Sequence, residues 1–368
     1  MQSVYLARPA ELTVVVPTFS ERDNVPLLID RLNIALNGID WEVIFVDDDS
    51  PDGTAAYIRD IAQTHARVRC IRRIGRRGLS TACMEGILAS CAPYVAVMDA
   101  DLQHDETVLP KMLNEIEQNG ADVVVGTRYA AGGSVGEWNE SRKKMSQLAT
   151  LVSGSILKQP VSDPMSGFFM LRRTVLDDTV RGLSGLGFKI LLDILATARQ
   201  PLKVAEVSYH FRDRFAGESK LDEMVIWEFG MLLADKTIGR YVPVRFVAFS
   251  LIGLAGVLVH FSVLSLFYKV FQLNFVPAQS IATAAAMVFN FSLNNILTYR
   301  DRRLKGWSWI KGLFSFMISC GLGAVSNVGI ATYLFAIRTE WVIAALAGIL
   351  VGAVWNYAVT QLYTWGKK

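Results

Sequence analysis

Cysteine is scarce in this chain, with four in 368 residues. Cys70, Cys83, Cys91 and Cys320 form no C-x-x-C pair and sit in apolar contexts, so reduced core thiols are expected rather than a zinc ribbon or a disulfide framework. Net charge is only +3, too small a surplus to point to a nucleic-acid partner. Met1 to Glu11 shows no basic stretch followed by an apolar run, so no secretory leader is expected there. Asp and Glu are absent from four segments, 246–268, 276–297, 312–336 and 342–364. That absence argues against a driven transporter, which needs ionisable groups along its path.

Those four segments are where the apolar residues concentrate in a chain that is 52% hydrophobic. A helix needs about 20 apolar residues to cross roughly 30 Å of hydrocarbon, and each segment is that long. On one side of the four spans lie Arg240, Arg245, Arg300, Arg302, Arg303, Lys305, Lys311, Lys367 and Lys368, against Lys269 and Arg338 on the other. By the positive-inside rule the front of the chain and both termini face the cytoplasm. The spans also repeat. Asn290-Phe291 and Thr298-Tyr299 match Asn356-Tyr357 and Thr364-Trp365 at an offset of 66 residues, as do Arg245 and Lys311. Each unit holds two spans, so two parallel helical hairpins are expected, with the asparagines facing other helices.

Up to about residue 220 the pattern is that of an α/β domain. Apolar runs at 12–16, 41–46, 68–72, 94–98 and 122–125 read as buried strands, and 24–37 as a helix. Such alternation predicts a mainly parallel sheet with ligands at the carboxyl ends of its strands. Two amphipathic segments follow, 137–157 and 222–240. The first is as well suited to packing on the soluble core as to lipid; the second, next to the first span, reads as an interfacial helix.

The polar motifs fall at strand ends. Asp99-Ala100-Asp101-Leu102-Gln103 leaves the run 94–98, and alternate residues of an extended segment point the same way. Asp99, Asp101 and Gln103 would then offer hard oxygen ligands to a divalent ion that keeps part of its shell for substrate phosphates. Asp47-Asp48-Asp49 ends the second strand, where carboxylates can accept from a nucleobase or a ribose. Pro17-Thr18-Phe19-Ser20-Glu21-Arg22 closes the neighbouring crevice, and Arg76-Arg77-Gly78-Leu79-Ser80 adds cations and a helix N-terminus suited to anions. His104 reads as an exposed loop histidine, His65 and His210 have no evident partner, and His260 falls inside a span.

The motifs VVVPTFSERDNV (14–25), FVDDDSPDGT (45–54), IGRRGLSTA (74–82), VMDADLQH (97–104), GTRY (126–129), DPMSGFFMLRR (163–173), GFKILLDIL (187–195) and GESKL (217–221) resemble, in order, the family 2 glycosyltransferases of the GT-A fold. The dolichol-phosphate mannose synthases are the most similar group. Residues 245–365 are similar to the GtrA-like four-helix membrane family. The fold expected is a GT-A (Rossmann-like) α/β domain at 1–221, a linker with an interface helix at 222–243, and an all-α four-helix transmembrane domain at 244–368.

The resemblance implies Mg²⁺ or Mn²⁺ on Asp99, Asp101 and Gln103. It implies a donor nucleotide held by Pro17, Thr18, Glu21, Val46, Asp48, Arg76, Ala100 and Asp101. Arg128, Arg142, Ser146 and Arg214 match the acceptor-phosphate positions, and Asp101 and Arg128 are the catalytic candidates. Arg142 and Ser146, spaced i, i+4, project from one helix face. The implied reaction moves mannose from GDP-mannose to a polyprenyl phosphate in the membrane, with inversion to a β-linked product. The same chemistry with UDP-glucose or a UDP-amino sugar is the nearest alternative. A flippase or scaffold role for the membrane half is a second. Lys189 belongs to the pattern, without a role that the residues alone supply.

Overall fold

The computed structural model describes residues 10–128, 153–154, 156–185, 187–212, 224–239, 241–337 and 340–366. The chain divides into two compact units, Met1–Thr237 and Ile238–Lys368.

In the first unit, the described residues form one sheet of seven strands. These are β1 (Leu12–Thr18), β2 (Trp41–Asp47), β3 (Val68–Arg72), β4 (Tyr94–Val97), β5 (Val123–Thr127), β6 (Phe169–Arg172) and β7 (Val204–Ser208). Their order is β3-β2-β1-β4-β6-β5-β7. All seven residues of β1 are buried, as a strand covered on both faces requires. Leu28, Leu32, Phe45 and Met112 belong to the core on one face, and Val15, Ile44, Ile87 and Ile194 to the core on the other.

Helices α1 (Asn24–Ala35), α2 (Thr54–Ala62), α3 (Leu79–Ala89), α4 (Leu109–Glu117), α5 (Arg173–Thr179), α6 (Ile190–Thr197) and α7 (Met224–Ile238) alternate with or follow the strands. On α3, a Cβ on Gly86 would run into the Val15 side chain, so this helix lies closer to β1 than alanine permits.

The expected strands are present, but β6 and β7 are additions. β6 runs antiparallel to both β4 and β5, with Val97 and Val125 each in register with Phe169. Reversal has a geometric consequence. The turn before β6 arrives at the edge where β1, β2, β4 and β5 end. The thiols also need correction: Cys83 is buried but Cys91 is exposed. Burial pushes the Cys70 thiol up to about 11 and raises that of Cys83 as well, which suits inert reduced groups.

Helix α7, the segment expected at the interface, packs part of its surface on the rest of the first unit. Leu232, with Phe229, packs against Met165 and Leu192 of the first unit. Lys236 lies 2.5 Å from the fully buried Asp193 and donates to Thr197 Oγ1 at 2.7 Å. A lysine so placed is a core contact and not part of a solvated basic face. The first amphipathic segment lies almost wholly outside the described residues.

In the second unit, four helices among the described residues are long and apolar enough to cross a membrane. They are α8 (Val244–Ser265), α9 (Phe275–Leu293), α10 (Trp307–Ala336) and α11 (Trp341–Val359). The 66-residue repeat is visible in the backbone. α9 continues into a π turn at Asn294–Thr298, and α11 into one at Thr360–Thr364. The closing bonds correspond, Tyr299 N–H to Asn294 O at 2.8 Å and Trp365 N–H to Thr360 O at 3.0 Å. Tyr299 and Trp365, equivalent in the repeat, stack on each other at 4.2 Å and 8°. As expected, Asn290 lies against Gly256 of α8, and Asn356 against Gly323 of α10.

Gly86→Ala forces α3 off the sheet, so we expect a loss of about 1–3 kcal/mol, the usual cost of overpacking. A lowered thermal midpoint of the detergent-solubilised protein, with unchanged far-UV circular dichroism, is the measurement.

Candidate active site

The parallel strands β1, β2 and β4 deliver their carboxyl ends side by side, and three loops build on them. After β1, Ser20 takes a left-handed φ of 58° and its N–H donates to Ser50 Oγ at 2.9 Å. Glu21 N–H reaches Thr54 Oγ1 at 3.3 Å, while its carboxylate accepts from Asn24 Nδ2 at 2.7 Å. Pro17 pairs in register with Val46, and Thr18 with Asp47. The end of β1 with its following loop, carrying Pro17, Thr18 and Glu21, is therefore stapled to the end of β2 with its following loop, carrying Val46 and Asp48.

The three consecutive aspartates have separate tasks. Asp47, fully buried, accepts from Ser50 N at 3.0 Å and closes its own turn. Asp48 accepts from Arg73 Nη1 at 2.6 Å on one oxygen and from Gly78 N at 2.7 Å on the other. Burial pushes the Asp48 carboxyl up, and the Gly78 N–H and the Arg73 guanidinium pull it back. Asp49 pairs with Arg72 at 2.6 Å near the surface.

Arg73 was not foreseen from the sequence. It is 2% exposed and also donates to Gly78 O at 3.0 Å and Thr81 Oγ1 at 2.6 Å. Its signal was available, because β3 runs parallel beside β2 with Arg72 opposite Asp47, which puts the next residue beside Asp48. Arg76, expected at the nucleotide, forms a two-point contact with Glu85 and is largely exposed. Arg77 lies over the Phe19 ring at 4.3 Å.

The acidic loop is a turn and not the extended segment expected. β4 stops at Val97, and Leu102 takes a φ of 63° with its side chain buried. Gln103 N–H donates back to Asp101 Oδ1 at 3.2 Å, so alternation along a strand does not aim these side chains. Asp101 is 8% exposed and Ala100 3%, whereas the Asp99 side chain is 39% exposed. Gln103 Nε2 donates to Arg212 O at 3.1 Å, and Arg212 N–H to Gln103 O at 3.0 Å. Arg212 itself is held by Asp105 and Glu106.

His104 is not an exposed loop residue. It is 3% exposed, and its ring stacks on Phe168 at 5.1 Å with Tyr209 edge-on at 5.8 Å. Burial lowers its pKa to about 4, the Asp101 charge opposing and the Arg128 charge reinforcing the shift. The ring is therefore neutral at ordinary pH. Burial likewise raises the Tyr209 hydroxyl.

Arg128, one residue beyond β5, pairs with Asp163 through Nε at 2.8 Å and Nη2 at 3.0 Å. Asp163 is fully buried and belongs to the turn before β6. The same turn touches the other loops. A Cβ on Gly167 would lie 3.2 Å from Asp99 Oδ2, and Met165 O accepts from Lys189 Nζ at 2.9 Å. Arg142, Ser146 and Arg214 lie outside the described residues.

The donor set suits a hard divalent cation. Asp99 and Asp101 are carboxylates, and the amide oxygen of Gln103 would be a third hard donor. A Cβ on Gly167 would lie 3.2 Å from Asp99 Oδ2, so the bare backbone of the turn before β6 comes close to that carboxylate. Among the described residues no three His, Cys, Asp or Glu side chains close on one point. Two carboxylates and an amide hold such an ion incompletely, and substrate oxygens would supply the remaining ligands.

Residues 13–180 match the family described as Glycosyl transferase family 2, and residues 248–365 match GtrA/DPMS, transmembrane domain. A dolichol-phosphate mannosyltransferase of Pyrococcus furiosus is 34% identical over 360 residues, covering 96% of this chain and 99% of that protein. One from Saccharomyces cerevisiae is 33% identical over 240 residues, covering 63% of this chain and 88% of that one. Among solved structures, glucosyl-3-phosphoglycerate synthase from Mycobacterium tuberculosis superposes with a TM-score of 0.46 at 20% identity, over 62% of this chain and 80% of that one.

Removing Asp163 strands a guanidinium that is 11% exposed. Asp163→Ala should cost about 3–5 kcal/mol, as for other broken buried pairs. Thermal unfolding should rank the double variant Arg128→Met/Asp163→Leu above Asp163→Ala, because it leaves no unpaired charge.

Proposed function

The chain belongs to the dolichol-phosphate mannosyltransferase family, and from that premise we propose that it transfers mannose from GDP-mannose to the phosphate of a membrane-borne polyprenyl phosphate. One observation carries the reading for this chain. The acidic loop at the end of β4 and Arg128 at the end of β5 meet the same turn, through Gly167 and Asp163 respectively. A site for a metal-bound diphosphate and a cation for a second phosphate are thus built on one short segment.

The donor lies in the crevice between the ends of β1, β2 and β4. Pro17, Thr18, Glu21, Val46 and Asp48 hold the nucleoside, and Ala100 and Asp101 approach the diphosphate. Arg76 reaches the diphosphate only by leaving Glu85. Asp99, Asp101 and Gln103 would hold Mg²⁺ or Mn²⁺, which neutralises charge on the leaving diphosphate.

Arg128, with Arg142, Ser146 and Arg214, binds the acceptor phosphate. A phosphate oxygen attacks the anomeric carbon, the bond to the nucleoside diphosphate breaks, and the configuration inverts to the β-linked product. The nucleophile is a phosphate monoester already anionic near neutral pH, so no strong general base is required. Binding both partners in line accounts for a large part of the rate.

The catalytic part occupies 1–221, a connecting segment 222–243 and the membrane anchor 244–368. The catalytic part faces the cytoplasm, as the distribution of Lys and Arg around the spans favours. The membrane part anchors the enzyme where its acceptor resides.

Radiolabelled GDP-mannose, UDP-glucose and a UDP-amino sugar, each offered with polyprenyl phosphate and Mn²⁺, test the donor assignment. Transfer from GDP-mannose alone is expected, and transfer from UDP-glucose but not GDP-mannose overturns it. In the same assay Asp101→Ala should lower turnover by roughly 10²–10³-fold, corresponding to a few kcal/mol of lost charge stabilisation. Its circular dichroism should match that of the unmodified protein.

A further inference from the structure

His104 is buried at the site, and both of its ring nitrogens lie near one residue, Asp99. Nδ1 lies 3.0 Å from the backbone nitrogen of Asp99. That nitrogen carries a hydrogen and donates it, so Nδ1 presents its lone pair and the proton of the neutral ring resides on Nε2. Nε2 in turn lies 3.7 Å from Asp99 Oδ2. One ring thus addresses both the main chain and the carboxylate of the same residue.

The ring is not free to drift from this position. Phe168 stacks on it at 5.1 Å and 12°, and the edges of Tyr209 and Phe211 close in at 5.8 and 6.0 Å. Gly167 completes the enclosure, since a Cβ there would lie 3.6 Å from His104 Cε1 as well as 3.2 Å from Asp99 Oδ2. Phe168 and Gly167 belong to the turn that also carries Asp163.

We propose that His104 is the positioning residue for Asp99, its neutral Nε2–H tautomer fixing the turn out of β4 and aiming the Asp99 carboxylate at the divalent cation. The proposal deepens the metal assignment and rests on Asp99 being a ligand. A side chain that orients a ligand from behind commonly changes metal affinity by about 10- to 100-fold when removed.

Two substitutions separate hydrogen bonding from packing. His104→Phe keeps a ring on Phe168 but has no acceptor for the Asp99 N–H. His104→Asn places an amide oxygen near the position of Nδ1 and loses the stack. Mn²⁺ binding to the full-length protein in detergent, with GDP present, is read from the electron paramagnetic resonance signal of free Mn²⁺.

We expect His104→Phe to weaken Mn²⁺ binding at least about tenfold and His104→Asn to restore most of it. Unchanged Mn²⁺ affinity in His104→Phe overturns the proposal, as does equal weakening in both variants with matching losses of thermal midpoint, which would make the ring a packing element. Asp99→Asn distinguishes the underlying assignment. If that variant binds Mn²⁺ as the unmodified protein does, Asp99 is not a ligand and the premise itself fails; if it alone loses Mn²⁺, only the positioning role fails.

Discussion

The ion pair between Asp163 and Arg128 is the contact around which the site is arranged. Asp163 is fully buried and receives two N–H groups from one guanidinium. Such a pair fixes the plane of the arginine as well as its position. It also fixes the turn at 163–168, because Ser166 Oγ donates to Gly126 O at 2.7 Å beside the same strand end. Once that turn is set, Gly167 faces Asp99 and Phe168 faces His104. The antiparallel direction of β6 makes this possible. A parallel strand in the same slot would carry the turn to the opposite edge of the sheet.

A second constraint ties the ends of β2 and β3 to the start of α3. Arg73 joins Asp48, Gly78 and Thr81, which lie on three successive parts of the chain. Its burial removes the water that would otherwise weaken these contacts, and Glu85 adds a second carboxylate 3.3 Å from its Nε. Gly78 takes a φ of 146° immediately before α3, a conformation that side-chain-bearing residues rarely adopt. The N-terminus of α3 is thereby held beside the crevice, while the outer cation, Arg76, stays on the surface with Glu85.

Strands β1 to β5 were legible because each is an apolar run bounded by polar turns. β6 was hidden inside a motif, Asp163 to Arg173, whose polar beginning and four-residue strand give no usable period. β7 alternates weakly, with Glu206 in its middle. The acidic loop was legible as chemistry but not as geometry. Periodicity assumes that the strand continues, whereas Leu102 reverses the chain in a left-handed conformation. His104 was misread for the same reason. It follows two aspartates and a glutamine, and the aromatic residues that bury it, Phe168, Tyr209 and Phe211, are far away in sequence. Lys236 gives no sign of its partner in the sequence, because the buried Asp193 lies 43 residues away and meets it only in the fold.

The membrane unit applies a related economy to polar groups in an apolar setting. Hydrocarbon offers no partner for an amide, so each must be satisfied or enclosed by protein. Asn290 and Asn356 do this in the same way in each hairpin, occupying the space where Gly256 and Gly323 lack a Cβ. Four residues on, the helices widen into π turns, and the hydroxyls of Thr298 and Thr360 bond within their own helices at 2.8 and 2.6 Å. Asn295 then breaks the symmetry. Its amide exchanges bonds with both backbone groups of Leu304, at 3.0 and 2.8 Å, and its oxygen also receives Trp365 Nε1 at 3.1 Å. The connection between the hairpins is thus tied to the end of the second one. Tyr299 on Trp365 closes the duplicated ends against each other. Asn295 thus joins helices, whereas the threonine hydroxyls stay within their own, and no carboxylate lies among the spans.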